Sequence, residues 1–274
     1  MPLWICAACA VEYPETQSPP DSCAICEDER QYVPRSGQAW HSIEQLRDDG
    51  FRLRIEPMEP GLTSITTQPS IGIGQTAVLA QTGEGNLLWD PPGFIDDAGL
   101  ERVLQLGGAA LIAASHPHMF GAQVSWSRAL GGVPVLVAAA DRSWVRREDP
   151  VIQSWTGELE VLPGITLRTV GGHFPGSAVA YVRDAADGRG VLLAGDTLFP
   201  GPSGRWVTFM RSYPNAIPMS AAVVDRVAAT VIDRDFDRIY GNFGNVIEAD
   251  GRAVIRRSAD RYMAWVRGDF DHLT

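Results

Sequence analysis

Twice along this chain a run of short β-type segments gives way to alternating helix and strand, and that repeated rhythm constrains the fold more than any other feature. The first run holds strand-like stretches near 51–56, 62–67, 76–81 and 86–89, separated by Pro and Gly. After Asp90-Pro91-Pro92-Gly93 the pattern changes to helix 97–106, strand 109–114, helix 122–130 and strand 133–138. A second β-rich run over 159–195 leads into helix 218–231, strand 237–241 and helix 250–267. Two such halves predict an α/β sandwich, with two facing sheets and helices on the outer sides, αββα. Residues 38–49, stopped by Gly50, read as a short helix, and the polar stretch 28–37, with Pro34 and Gly37, reads as a linker.

All four cysteines fall within residues 6–26, as Cys6-x-x-Cys9 and Cys23-x-x-Cys26. Each Cys-x-x-Cys turn can direct two thiolates at one ion, and two turns complete the closed tetrahedron that zinc or iron takes in sulfur-only sites. Two disulfides or four free thiols are the alternatives, and compartment and spacing favour metal. A segment this short buries little core, so the ion would supply its folding energy. The expected organisation is a knuckle over 1–35 followed by one large domain over 36–274. Trp4-Ile5-Cys6-Ala7-Ala8-Cys9 followed by Tyr13-Pro14 resembles rubredoxin-like and zinc-ribbon modules. Iron rubredoxins carry Gly soon after each pair, whereas Ala10 and Glu27 follow here, so the resemblance favours structural zinc.

Every one of the 23 basic residues is Arg. A lysine-free chain cannot form Schiff bases or build the Lys-bearing phosphate loop, and both reaction classes drop out. A net charge of −10 repels phosphate backbones and anionic lipid alike, so neither nucleic acid nor membrane is an expected partner. Arg252, Arg256, Arg257 and Arg261 have the spacing of the solvated side of a terminal helix. The first residues lack a secretory pattern, and no apolar run approaches the roughly 20 residues of a membrane span. A cytoplasmic chain is expected.

Of five histidines, three sit at strand exits. Ser115-His116-Pro117-His118 follows an apolar strand, His173 follows Gly171-Gly172, and Asp196 follows Val191-Leu-Leu-Ala-Gly195. Any one of these alone reads as a loop residue, but together they fit a mononuclear nitrogen and oxygen site for Zn²⁺ or Fe²⁺. His41 and His272 have no such context.

The order Asp90, Ser-His116-Pro-His118, Gly-Gly-His173-Phe-Pro-Gly-Ser and Leu-Leu-Ala-Gly-Asp196-Thr-Leu-Phe resembles the metallo-β-lactamase superfamily over about residues 60–245. The resemblance implies that His116, His118 and His173 form a three-histidine site, that Asp196 reaches the same metal or bridges to a second, and that Asp90 organises the loops beneath. Two departures stand out. Phe120-Gly121 occupies the place of the family's Asp-His, and Tyr240-Gly241-Asn242 that of its last histidine. Those missing residues belong to the second ion, so a two-metal clamp on a phosphodiester is not expected.

The first expectation is a hydrolase of a small-molecule ester, thioester, lactone or amide, using hydroxide on a single Zn or Fe ion, with Asp196 as ligand or orienting base. Tyr213 and Asn215 are candidates for the leaving-group acid. The second is a mononuclear non-haem iron oxidoreductase, since two of the histidines with Asp196 can form a two-His-one-carboxylate face. The third is a binding scaffold that has lost its chemistry.

Overall fold

The computed structural model describes residues 1–274 and contains two large sheets packed face to face. The first has seven strands in the order Ile152–Trp155, Val135–Ala138, Leu111–Ala113, Gly85–Trp89, Ala77–Thr82, Leu62–Gln68 and Arg52–Glu59. The second has six, in the order Glu158–Leu162, Ile165–Thr169, Ala178–Val182, Val191–Leu193, Arg238–Tyr240 and Val246–Ile247. Both sheets begin with antiparallel hairpins and then turn parallel through helical crossovers, the first at three successive pairs and the second at the Val191–Leu193 and Arg238–Tyr240 pair, beyond which Val246–Ile247 adds an antiparallel edge.

Side chains alternate across each strand and so build three cores. Val78, Ala80, Leu87 and Trp89 point between the sheets and meet Leu167, Ala178, Ala180 and Leu193. Their neighbours Leu79 and Leu88 point outward, where Val103 and Trp126 cover them from helices α2 (Asp97–Gln105) and α3 (Gln123–Ala129). On the far side Val179 and Leu192 pack under α4 (Ala221–Ile232) and α5 (Gly251–Arg267). Helix α4 buries Val224, Val227, Ala228 and Val231, the i, i+3, i+4, i+7 set of a helix with one apolar face. The αββα layering expected from the sequence is therefore present.

Two local expectations need correction. Residues 38–49 are not one helix: Trp40–Ser42 is a strand paired with Leu3–Cys6, and α1 covers only Ile43–Asp48 behind a capping box of Ser42 and Gln45. Residues 28–37 lack helix and strand but are no free linker, because Arg30 and Gln31 are buried. No helix is long and apolar enough to cross a membrane.

The cysteine segment shares the outer core of the first sheet. Ile5, Cys6, Cys9, Cys23 and Ile25 belong to the same apolar cluster as Ile65, Leu79 and Ile112. Its Ala10 turn lies so close that a Cβ on Gly93 would stand 2.2 Å from the Ala10 carbonyl oxygen. Glu12 reaches the start of α3, where its carboxylate accepts from the Val124 and Ser125 backbone N–H groups and pairs with Arg147 at 2.7 Å.

Candidate metal centre

Three loops at one rim of the sandwich deliver the histidines and the aspartate. The loop leaving Leu111–Ala113 carries His116, then places His118 in the single 3-10 turn Pro117–Met119. Pro117 opens that turn, where a missing N–H costs nothing. The other two loops bring His173 and Asp196. Gly195 has φ +58, and a Cβ there would lie 2.5 Å from the Ser115 Cβ, so only glycine lets the Asp196 loop close against the His116 loop.

The three imidazoles form a near-equilateral triangle, with ring centroids 5.1, 4.8 and 5.2 Å apart. His116 Nε2 is 3.6 Å from Asp196 Oδ2, and one ligand atom from each of the four residues lies within 4.8 Å of the others. All four are buried. Outer hydrogen bonds orient two rings: His116 Nδ1 meets Ser115 Oγ at 2.9 Å, and His173 Nδ1 meets the Met210 carbonyl at 3.0 Å. His116 Nε2 is buried without a hydrogen-bond partner and faces Asp196 Oδ2, while His173 Nε2 meets only His118 Nδ1, at 3.4 Å. Buried polar atoms are normally satisfied, and a cation among these four atoms, one from each residue, would satisfy them together. The residues therefore fit a metal ion.

Electrostatics agree with that fit. Burial holds His116 and His118 well below the usual histidine range, and it pushes His173 down to about 4, so all three rings are neutral with free lone pairs at pH 7. Burial, helped by the neighbouring Asp90 charge, raises Asp196 to about 7. A divalent cation would draw that carboxyl back to its ionised form.

Asp90 lies beneath the site, fully buried, with Oδ1 accepting from the Ser115 N–H at 2.5 Å and Oδ2 from Asn242 Nδ2 at 2.6 Å. It ties the His116 loop to the end of Arg238–Tyr240. Asn242, at the place of the family's last histidine, is thus spent on Asp90. Phe120 is buried in the outer core, and a Cβ on Gly121 would lie 2.0 Å from the Pro91 carbonyl oxygen, so that position admits no side chain.

The second cluster is the four cysteines, all buried and none in a disulfide. Cys6 and Cys26 sulfurs are 3.7 Å apart, as are those of Cys9 and Cys23. A tetrahedron with metal–sulfur bonds of about 2.3 Å has edges of about 3.8 Å, so these two edges match a four-sulfur metal cage. Tyr13 Oη donates to Cys23 Sγ at 3.3 Å, and Gln38 Nε2 to Cys6 Sγ at 3.2 Å, which favours thiolates.

His41 lies in the Trp40–Ser42 strand and His272 in an exposed terminal turn, outside both clusters. Tyr213 lines the cleft, but its hydroxyl donates to the carbonyls of Asp196 at 3.0 Å and Thr208 at 3.4 Å. Asn215 donates to the carbonyls of Glu29 and Gln31, away from the histidines. Neither is placed as a leaving-group acid. No motif along the chain points to Arg30, which is buried, lines the cleft and stacks 3.7 Å over Phe174, the ring packed against all three imidazoles.

Residues 70–241 match the family described as the metallo-beta-lactamase superfamily. The chain is 40% identical to the "Uncharacterized protein YmaE" of Bacillus subtilis (strain 168), covering 99% of this chain and 100% of that one. Among solved structures it is similar to the metallo-β-lactamase FIM-1 from Pseudomonas aeruginosa in the mono-zinc form, with TM-score 0.57 and 15% identity over 78% of this chain and 96% of that one. DIM-1 metallo-β-lactamase gives TM-score 0.58 and 13% identity over 78% of this chain and 98% of the other. At such identities the likeness is one of fold. With a family match over more than half its length and the order Asp90, His116-x-His118, His173, Asp196 at one rim, the chain belongs to the metallo-β-lactamase superfamily.

Proposed function

We propose that this protein hydrolyses an ester, thioester, lactone or amide of a small molecule at one ion held by His116, His118, His173 and Asp196. The observation that carries the single-ion reading is the fate of the second ion's positions. Phe120 is in the core, Gly121 has no room for a side chain, and Asn242 serves Asp90. A bound zinc ion supplies an acidified water, its pKa brought from 15.7 to about 7, and polarises a carbonyl.

The chain's own residues do the rest. Neutral imidazoles, fixed by Ser115 and the Met210 carbonyl, hold the centre rigid. With Asp196 Oδ2 turned toward His116 Nε2, Oδ1 has no protein partner and would be the oxygen that takes a proton from the attacking water and returns it to the leaving group. The cleft, with a volume of ≈ 370 Å³, suits a small molecule rather than a polymer. Four unpaired cysteines suit a reducing compartment, and we place the protein in the cytoplasm.

Metal analysis of the purified protein tests this reading. The expected result is a colourless protein with two zinc ions per chain, of which Cys6→Ala removes one and His116→Ala the other. Two ions in the histidine cluster would overturn the single-ion reading. Iron there, with oxygen consumed and no hydrolysis, would replace the hydrolase by an oxidoreductase.

A further inference from the structure

The cleft beside the histidines is walled in part by the segment that follows the four cysteines. Arg30 and Tyr32 line it together with His118, His173 and Asp196. This segment is clamped in place: Asn215 Nδ2 donates to the Glu29 and Gln31 carbonyls, Ser212 Oγ to the Arg30 carbonyl, and Arg211 pairs with Glu29 at 2.6 Å.

A guanidinium has five N–H donors. In Arg30, Nε and Nη2 each spend one on Asp28, at 2.5 and 2.8 Å, and Nη1 spends one on the His173 carbonyl at 3.5 Å. Two donors remain, on a side chain only 7% exposed. Leaving buried donors without acceptors costs free energy that an incoming oxygen would recover. Asp28 cancels the guanidinium's charge, so a neutral oxygen suits the remaining donors better than a second carboxylate. The other cleft walls include Tyr32, Phe199, Tyr213 and Phe243, which favour an apolar group.

Resting on the hydrolase reading above, we infer that Arg30 binds the substrate: its two spare N–H groups hold an uncharged carbonyl oxygen of an apolar acyl compound beside the metal centre. The four-cysteine segment then contributes a substrate-binding residue to the active site.

Thiol probes test this without turnover, because a thiol binds zinc directly. Calorimetry on the zinc-loaded protein compares methyl mercaptoacetate, which adds an ester carbonyl to the thiol, with mercaptoacetate and with ethanethiol. In Arg30→Ala the preference for the ester over ethanethiol should fall about tenfold relative to wild type, the worth of a hydrogen bond from a charged donor. Thiol acidity is common to both proteins and cancels. A merely structural loosening of the cleft would weaken every probe alike. Asp28→Asn exposes the guanidinium's charge and should shift preference toward mercaptoacetate over its ester by about tenfold.

Unchanged ratios in both variants, with zinc still bound, would overturn the inference while leaving the hydrolase reading intact. A histidine cluster that takes no ion would sink both.

Discussion

Asp90 has a positive φ of 54°, no solvent and two partners, and each of its carboxylate oxygens is committed to one of them. Burial pushes its pKa up to about 7 against the pull of those hydrogen bonds, so the balance at this residue is fine. Removing the Asn242 amide leaves Oδ2 buried without a donor. Asn242→Ala should therefore cost about 1–3 kcal/mol, read as a lower urea midpoint, while the zinc content of the histidine cluster stays at one. An unchanged midpoint would show that water takes the amide's place. Asp90, His116, His118, His173 and Asp196 were legible because each follows an apolar strand within a short recognisable motif. Asn242 as the partner of Asp90 was not, since the pair is 152 residues apart and joins the ends of two different sheets. Arg30 was hidden for the same reason, its meaning lying in Phe174 and His173 rather than in its neighbours along the chain.

Among the connecting elements, the 3-10 turn Ala139–Trp144 does for the His173 loop what Asp90 does for the His116 loop. Its Asp141, 1% exposed, accepts the Gly176 N–H through Oδ1 at 2.8 Å, while Oδ2 has no partner. Burial raises Asp141 to about 6 from 3.8, against the pull of the Gly176 N–H and the Arg30 charge. A carboxyl that holds its proton more tightly when folded stabilises the fold fully below its unfolded pKa, and that contribution is lost as pH rises through the folded value. Stability should thus fall between about pH 4 and pH 6, by up to about 3 kcal/mol from this group, and Asp141→Asn should flatten that slope. Thermal unfolding at half-unit pH steps measures it, and an identical slope in the variant would refute the assignment. Longer elements with a regular period, such as α2, α4 and α5, were legible to within a few residues. The Trp40–Ser42 strand was not, because three residues carry no period and it exists only by pairing with Leu3–Cys6.

Considered as one molecule, the chain has its cysteine unit built into a core rather than tethered to one. Spacing alone made the four-sulfur cage legible, but nothing along the chain indicated that Ala10 would press on Gly72 and Gly93 or that Glu12 would cap α3. A short segment held only by its ion would melt separately from the large unit. A segment whose Cys9, Ile25 and Val11 share an apolar cluster with Leu79, Leu88 and Trp126 should instead unfold with it in one transition. Replacing Cys9 and Cys23 by Ser removes the cage while leaving the histidine cluster untouched. It also strips the outer face of the first sheet of part of its cover. The expected outcome is a single calorimetric transition in wild type, shifted down as a whole in the double variant, with amide exchange accelerated in α3 as well as near the mutated sites. Two separate transitions, with the upper one unmoved by the loss of the cage, would mean that the contacts between the cysteine unit and the first sheet contribute no cooperativity.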